Sequence, residues 1–155
     1  MGLTPSDAED ERMMRLALDE ARTSLGHGDV PVGAVVSRGD DVLAAAGNQR
    51  ELAADPTAHA EILALRGAAA TLRSWHLEGC TLTVTLEPCA MCAGAVVLSR
   101  LDRLVFGAAD PKAGFAGSLG DLVQDPRLNH AVSVRSGVLA DECGDLLRTF
   151  FRERR

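Results

Sequence analysis

One histidine, two cysteines and one glutamate are spaced in this sequence as a hydrolytic metal site requires. They occur in a His-x-Glu pattern that begins at His59 and a Pro-Cys-x-x-Cys pattern that begins at Pro88. One imidazole and two thiolates supply three zinc ligands and leave the fourth tetrahedral position open, as in catalytic zinc sites. We therefore predict one Zn2+ per subunit, held by His59, Cys89 and Cys92. It would activate water against an amino-substituted ring carbon, and Glu61 would move the protons as both base and acid.

A Cys-x-x-Cys pair alone has two other interpretations, a thioredoxin-like redox pair or half of a structural zinc site. The sequence contains no second Cys-x-x-Cys pair that would close a four-cysteine site. A proline directly before the first cysteine, with a histidine and a glutamate upstream, fits neither alternative. The combined pattern is instead the known signature of zinc-dependent nucleobase deaminases. The two remaining cysteines, Cys80 and Cys143, are predicted to be small buried hydrophobic residues and not disulfide partners.

The spacing of His59 and Glu61 predicts where the second helix begins. Residues two apart within a regular helix point about 200° apart, so the pair can serve one site only at a helix start. Asp55-Pro56, a capping acid followed by a proline suited to the first turn, predicts that start, and the helix should continue to about Leu72. In the third helix, the positive end of the dipole should favour the thiolate forms of the two cysteines.

The other elements follow from hydrophobic periodicity and turn residues. We predict a first helix that begins at a Ser6–Glu9 capping box, continues through Met14 and Leu25, and ends at Gly26-His27-Gly28. Two strands at 32–37 and 42–46, joined at 38–41, are followed by a loop at 48–54, and a further strand is predicted at 81–86. A helix from Glu87-Pro88 through Leu98 carries both cysteines on one face; after it come a strand at 104–106, a loop at 110–120, a strand at 132–135, and a helix with an apolar stripe from Leu139 to Phe150. This order, α-β-β-α-β-α-β-β-α, indicates one central sheet with helices on both faces.

Length, composition and charge limit the classes of protein to consider. The 155 residues suffice for one domain, which we predict to span 1–155. No apolar run approaches the roughly 18 residues of a membrane helix, and the acidic N-terminus does not resemble a signal peptide. We therefore expect a cytoplasmic protein with no membrane partner. The net charge of −6 argues against non-specific nucleic-acid binding, which depends on neutralising phosphates.

The C-terminal segment is nonetheless basic and aromatic. Residues 148–155 carry four arginines and two phenylalanines. On charge alone, this segment is a solvated helix end whose arginines favour the negative pole of the helix dipole. A contact surface for RNA is the other interpretation.

Beyond the metal pattern, the sequence resembles the bacterial tRNA-specific adenosine deaminases over nearly its whole length. The matching stretches are 29–36 (Asp-Val-Pro-Val-Gly-Ala-Val-Val), 55–62 (Asp-Pro-Thr-Ala-His-Ala-Glu-Ile), 85–95 (Thr-Leu-Glu-Pro-Cys-Ala-Met-Cys-Ala-Gly-Ala), 105–108 (Val-Phe-Gly-Ala), 116–119 (Ala-Gly-Ser-Leu) and 139–143 (Leu-Ala-Asp-Glu-Cys). The zinc pattern also fits cytidine, deoxycytidylate and guanine deaminases, and the later stretches are the ones that indicate the tRNA enzymes. The resemblance implies a three-layer α/β/α cytidine-deaminase-like fold with a central mixed five-stranded sheet.

The resemblance also implies a function and a set of contacts. The reaction would be hydrolytic conversion of adenosine to inosine at the wobble position in the anticodon stem-loop of an arginine tRNA, carried out by a homodimer. In the family, the residue matched by Asn48 hydrogen-bonds the flipped base, and the residue matched by Val30 packs near that base. The residue matched by Ala60 offers a backbone group beside the metal. A residue matched by Asp110 contacts the anticodon-loop backbone, and Phe151 with nearby Arg152 would lie along the RNA.

Two other functions remain open from the sequence. A free nucleoside or nucleobase deaminase of the same superfamily would not need the basic aromatic segment, and it would act on the isolated nucleoside. A non-catalytic zinc-containing RNA-binding module would have no use for the proton-carrying carboxylate of Glu61.

Overall fold

Four helices and five strands alternate along residues 7–154, the part of the chain that the computed structural model describes. They are α1 (Asp7–Gly26), β1 (Gly33–Arg38), β2 (Asp41–Gly47), α2 (Ala60–Leu72), β3 (Thr81–Leu86), α3 (Ala90–Leu98), β4 (Arg103–Ala108), β5 (Ser133–Arg135) and α4 (Ala140–Glu153). The predicted order of elements is confirmed, and Ser6 of the predicted capping box lies outside the described residues. No helix within the described range is long and apolar enough to span a membrane.

The five strands form one mixed sheet in the order β2-β1-β3-β4-β5. β1 pairs antiparallel with both β2 and β3, whereas β3–β4 and β4–β5 are parallel. The hairpin between β1 and β2 turns at Gly39, whose positive φ of 59° favours glycine. The predicted fold class, a five-stranded mixed sheet between helices, is confirmed.

Alternation along the central strands divides the core into two layers. Val35 of β1 and Val105 of β4 point to the face covered by α1 and α4. Their neighbours point to the opposite face, which is covered by α2 and α3; these are Ala34, Val36, Leu104 and Phe106. Because side chains alternate between the two faces of a strand, both faces of the sheet are apolar and covered by helices, as the order of elements predicted.

Helix α1 approaches the sheet so closely that only glycine fits beneath it. A Cβ built on Gly33 would lie 1.8 Å from the carbonyl oxygen of Ala17, and one on Gly47 would lie 2.5 Å from that of Glu20. This contact fixes the end of α1 over β1 and β2. The chain that follows α1 therefore runs along the same edge of the sheet at which α2 begins.

The predicted start of α2 at Asp55-Pro56 is wrong. The carboxylate of Asp55 accepts hydrogen bonds from the backbone N–H and the hydroxyl of Thr57, which closes a turn and not a helix. Gln49 then donates its backbone N–H to the carbonyl of Ala58, so the chain is held extended against the end of β2. Helix α2 can begin only after this bond, at Ala60.

The two cysteines outside the predicted metal pattern behave as expected. Cys80 and Cys143 are buried and carry free thiols. Burial raises the pKa of Cys143 to about 12, so this thiol stays protonated and packs as a small hydrophobic side chain.

Candidate active site

His59 occupies the N-cap of α2, the position that its spacing from Glu61 requires. Its backbone is extended, with φ −72° and ψ 150°, while its carbonyl accepts the N–H of Leu63 and so begins the helix. The two side chains therefore do not follow regular helical geometry and can face one site. The prediction that the pair lies at a helix start is confirmed, although the start is not at Asp55-Pro56.

Cys89 occupies the corresponding position of α3. The helix begins at Ala90 and not at Glu87-Pro88 as predicted, and Cys89 is its extended N-cap, with φ −72° and ψ 178°. Its carbonyl accepts the N–H of Ala93, and Cys92 lies in the first turn. Two helix N-termini thus meet at one site, and both helix dipoles present their positive ends to it.

The three predicted ligand atoms are arranged as a tetrahedral zinc would arrange them. His59 Nδ1 lies 3.6 Å from Cys89 Sγ and 3.5 Å from Cys92 Sγ. All three atoms lie within 4.8 Å of one another. With Zn–N near 2.0–2.1 Å and Zn–S near 2.3 Å, a tetrahedral centre separates nitrogen from sulfur by about 3.6 Å. This group, which we call the His-Cys-Cys group, therefore fits zinc.

The electrostatics of the His-Cys-Cys group also suit a cation. A hydrogen bond from the Cys92 thiol lowers the pKa of Cys89 to about 3, against the effect of burial and with help from His59. The same bond, with burial, raises the pKa of Cys92. The hydrogen bond to Cys89 also raises the pKa of His59. Negative charge therefore rests on the Cys89 sulfur at neutral pH, whereas Cys92 keeps its proton, contrary to the thiolate predicted there; Cys92 would release that proton on binding a soft divalent cation.

Glu61 is buried in the first turn of α2, with 4% of its surface exposed. It lies beside the His-Cys-Cys group without being a member of it. Burial disfavours its charged form and raises its pKa to about 7, although its own backbone N–H and His59 act in the opposite direction. A carboxyl group with this pKa can accept and release a proton near neutral pH, as general acid–base catalysis needs.

One rim of the site contains Asn48 and Val30. The Asn48 amide donates to the carbonyl of Val30 at 3.2 Å and accepts the N–H of Arg50 at 3.1 Å. Because Gln49 is bonded to Ala58, this rim continues directly into His59. Asp29, which we did not assign from the sequence, is 1% exposed and anchors the following loop by accepting the N–H groups of Glu51 and Leu52.

A second rim is a loop that contains Asp110 and that pairs with Cys89 through Gly114. The Asp110 carboxylate accepts the N–H groups of Lys112 and Ala113. The backbone N–H of Asp110 donates to the carboxylate of Glu87. Sequence reasoning also missed Glu87, which is 2% exposed. Burial alone would raise its pKa, but hydrogen bonds to its carboxylate prevail and the pKa lies below the ordinary value. The available signal was an acid placed between an apolar strand and the metal-ligand segment.

The C-terminal residues lie at the end of α4, and one of them approaches the segment that follows α1. Phe150 is buried, whereas Phe151 is 52% exposed and Arg152 is exposed. The guanidinium of Arg154 stacks over the Phe150 ring at 3.9 Å and lies close to Gly28, just before Asp29. Arg155 lies outside the described residues.

Comparison with known proteins identifies the family. The family model of the MafB19-like deaminases matches residues 8–155. The tRNA-specific adenosine deaminase of Bacillus subtilis (strain 168) is 51% identical over 147 residues, which are 95% of this chain and 91% of that enzyme. The chain belongs to the tRNA-specific adenosine deaminase family. The resemblance stated from the sequence is thereby confirmed, and with it membership of a family of hydrolytic deaminases.

Solved structures of other deaminases have a similar fold. A tRNA:A34 deaminase, from work on A-to-I editing at the wobble position of transfer RNA, matches with a TM-score of 0.85 and 42% identity, over 88% of this chain and 99% of that one. The guanine deaminase from Nitrosomonas europaea matches with a TM-score of 0.74 and 28% identity, over 96% and 93%. Of these two, the tRNA:A34 deaminase is the more similar in both sequence and fold.

Proposed function

We propose that this chain converts adenosine to inosine at the wobble position in the anticodon of an arginine tRNA. The observation that carries the proposal is the buried Glu61 beside the His-Cys-Cys group, in a chain of the tRNA-specific adenosine deaminase family. In the net reaction, oxygen from water replaces the amino group on C6 of adenine, and ammonia is released. Because the proposed substrate is a tRNA, we propose that the enzyme acts in the cytoplasm.

His59, Cys89 and Cys92 would hold one zinc ion per subunit, because their separations and charge suit a tetrahedral centre. When bound, zinc lowers the pKa of a coordinated water from about 15.7 to about 7, which supplies the nucleophile at neutral pH. The two helix N-termini that carry Cys89 and His59 hold these side chains in place.

Glu61 would carry the protons of the reaction. It accepts a proton as the water oxygen bonds to C6, and it delivers a proton to the adjacent ring nitrogen. It then takes the remaining proton of the new C6 hydroxyl, which becomes the carbonyl oxygen, and passes that proton to the amino group as the C6–N bond breaks and ammonia leaves. A single carboxyl group with a pKa of about 7 suits both roles, because it is neither fully protonated nor fully ionised at neutral pH.

The adenine would have to leave its stack to reach Glu61, as nucleotides in RNA loops can. Asn48 would then bond the flipped base and Val30 would pack beside it. An amide has two donor hydrogens and two acceptor lone pairs, so Asn48 keeps hydrogen-bonding capacity after its bonds to Val30 and Arg50. Ala60, the buried residue between His59 and Glu61, would offer a backbone group to the base.

The function is tested by incubating purified, zinc-loaded protein with an arginine tRNA and sequencing the anticodon, where inosine is read as guanosine. Free adenosine, cytidine and guanine serve as competing substrates. Conversion of the wobble adenosine alone supports the proposal. Preferential turnover of a free nucleoside or base would show a different deaminase, and binding of tRNA without conversion would show a binding module.

The C-terminal segment would bind the RNA outside the catalytic pocket. Phe151 and Arg152 are exposed on the outer side of α4, while Phe150 anchors that helix in the core. A protein of net charge −6 must draw its RNA affinity from such local groups. We therefore expect Phe151 to stack on a base or sugar and the arginines to contact phosphates.

Phe151→Ala is expected to weaken tRNA binding while leaving zinc content and melting temperature unchanged. Base–aromatic stacking contributes about 1–3 kcal/mol, which corresponds to about 5-fold to 150-fold in Kd. Fluorescence anisotropy at several salt concentrations measures the change. Leu128→Ala, which also shortens an exposed apolar side chain, is the matched control. Unchanged affinity in Phe151→Ala would exclude the contact.

Truncation is a poorer test of this contact. Removing the chain from Arg148 onward would also delete Phe150, which is only 4% exposed. Loss of a buried aromatic side chain costs about 3–5 kcal/mol of stability. Point substitutions at Phe151 and Arg152 avoid this effect.

We further propose that the chain forms a homodimer through an apolar surface on α2 and α3. The surface is lined by Ile62 and Ala69 of α2, by Ala95 and Leu98 of α3 and by Trp75 in the segment after α2, with the buried Leu65 and Leu77 also lining it. Trp75 is 60% exposed and Leu98 is 73% exposed. Contiguous apolar surface on one face is typical of an interface, and a second copy related by a two-fold axis is the commonest partner. Such a dimer would brace the two helices that carry the His-Cys-Cys group.

Leu98→Glu is expected to convert the dimer to a monomer without unfolding the chain. An unpaired charge in a buried interface costs about 3–5 kcal/mol, or more than about a hundred-fold in dimer affinity. Light scattering after size-exclusion chromatography gives the mass. Leu128→Glu adds the same charge at an exposed leucine outside the surface and should remain dimeric. A dimeric Leu98→Glu protein would place the interface elsewhere.

A further inference from the structure

Glu87 is a buried carboxylate that connects the start of α3 to a segment far along the chain. One oxygen, Oε1, accepts the backbone N–H of Asp110 at 2.9 Å and the hydroxyl of Ser118. The other, Oε2, accepts the backbone N–H groups of Ala116 and Ser118, each at 3.0 Å. These four donors compensate a charge that is otherwise costly to bury.

Residues 110–118, which we call the Asp110 loop, wrap around this carboxylate. A Cβ built on Gly114 would lie between 2.3 and 2.5 Å from three atoms of the Glu87 carboxylate, so only glycine fits there. Gly114 also pairs with Cys89 in an isolated antiparallel bridge, and Phe115 donates its N–H to the carbonyl of Pro88 at 2.8 Å. The Asp110 loop therefore lies against the N-cap of α3, at the edge of the His-Cys-Cys group.

Apart from Glu87, the loop is held by the bond from Phe115 to Pro88 and by Phe115 and Ala116, which pack against the core. It contains no helix or regular strand, and Pro111, Lys112 and Ala113 are exposed at its tip. Bonds to a buried carboxylate can hold such a segment in one conformation, because each bond to a charged acceptor contributes more than a neutral one. An amide in place of the Glu87 carboxylate would present an N–H2 group to backbone N–H donors and would lose at least one of these bonds.

We propose that Glu87 is a positioning residue that holds the Asp110 loop as a preformed rim on which the nucleic-acid substrate is seated. The inference rests on the proposed function, because it requires that the enzyme bind a tRNA substrate. Glu87 does not touch the reacting atoms in this proposal. Its effect should therefore appear in substrate binding and in loop order, and not in zinc content or in the chemical step.

The test compares wild-type protein with Glu87→Gln and with Ser118→Ala, which removes only the hydroxyl bond. Glu11→Gln, on the exposed side of α1, is the matched control for the loss of one charge. Hydrogen–deuterium exchange without substrate reports the protection of the amides at 110, 116 and 118. Steady-state kinetics on tRNA, with metal analysis, separates KM from kcat.

We expect Glu87→Gln to exchange these amides at least about tenfold faster and to raise KM for tRNA by about tenfold, with kcat within about threefold of wild type. Ser118→Ala should shift both quantities in the same direction by less, and Glu11→Gln should shift neither. Unchanged exchange in Glu87→Gln, or a fall in kcat with loss of zinc, would overturn the proposal. If wild-type protein does not edit tRNA, the proposed function fails, while the exchange data still report whether Glu87 holds the loop.

Discussion

Glu61→Ala is expected to lose nearly all deamination activity while keeping its fold and its zinc. Glu61 is 4% exposed and lies beside the His-Cys-Cys group, and burial raises its pKa to about 7. A general acid–base group contributes a factor of about 10² to 10⁴ in rate, and in the proposed mechanism this one group makes several transfers. Single-turnover editing of tRNA measures the rate, and metal analysis measures the zinc. Removing a buried acid should not lower the melting temperature.

Two further variants make the result specific. Glu61→Gln keeps the size and polarity of the side chain but cannot carry a proton, so it should be as inactive as Glu61→Ala. Glu142→Ala removes an exposed glutamate of α4 and should retain full activity. If Glu61→Gln edits tRNA at a near-normal rate, another residue moves the protons.

Cys89→Ala is expected to lose both zinc and activity. The three ligands lie on two different helices, so removal of one leaves a pair that cannot close the tetrahedral site. Catalytic activity should fall to background, because the proposed nucleophile depends on the metal. Metal content per chain, measured on purified protein, gives the primary result.

Cys80→Ala and Cys143→Ala are the matched controls, since both cysteines are buried free thiols outside the His-Cys-Cys group. Both should keep one zinc per chain, with at most a modest loss of stability from the removed sulfur. A His59→Ala, Cys92→Ala double variant that still carries stoichiometric zinc would falsify the ligand assignment. Zinc would then be held elsewhere in the chain.

Much of this fold was predictable because its signals are local. The alternation of Val35 with its neighbours and the spaced apolar residues of α1 are properties of short windows. The order of elements, and from it a central sheet with helices on both faces, follow from such windows, whereas the three-layer class was implied by the family resemblance. Element boundaries were less secure: β4 extends beyond the predicted 104–106 to Arg103–Ala108, and β5 begins at Ser133 instead of residue 132.

The start of α2 shows where local signals mislead. Asp55-Pro56 resembles a helix start, but the bond between Gln49 and Ala58 holds the chain extended until His59. That hydrogen bond can form only when β2 is in its place in the sheet, because Gln49 directly follows β2. The spacing of His59 and Glu61 was the better guide, because the chemistry of one site requires both side chains to face it.

No local signal identifies the hydrogen-bond donors that bury the carboxylates of Glu87 and Asp29. Glu87 has its donors 23 to 31 residues later in the chain, and Asp29 has its donors 22 and 23 residues later. An acid in a short window reads as a surface residue, since burial without partners is costly. Only the folded backbone brings those partners to it.

The sequence by itself determined the family and the order of elements, and it predicted the ligand set and the proton carrier, because residue type and short spacing carry that information. The tertiary structure decided which groups hold the two rims of the site, with Asp29 on one side and Glu87 on the other. It also decided that Phe150 is buried while its neighbour Phe151 is exposed. These properties depend on atoms that are distant along the chain and adjacent in space, and they arise only when α4 and the loops pack on the sheet.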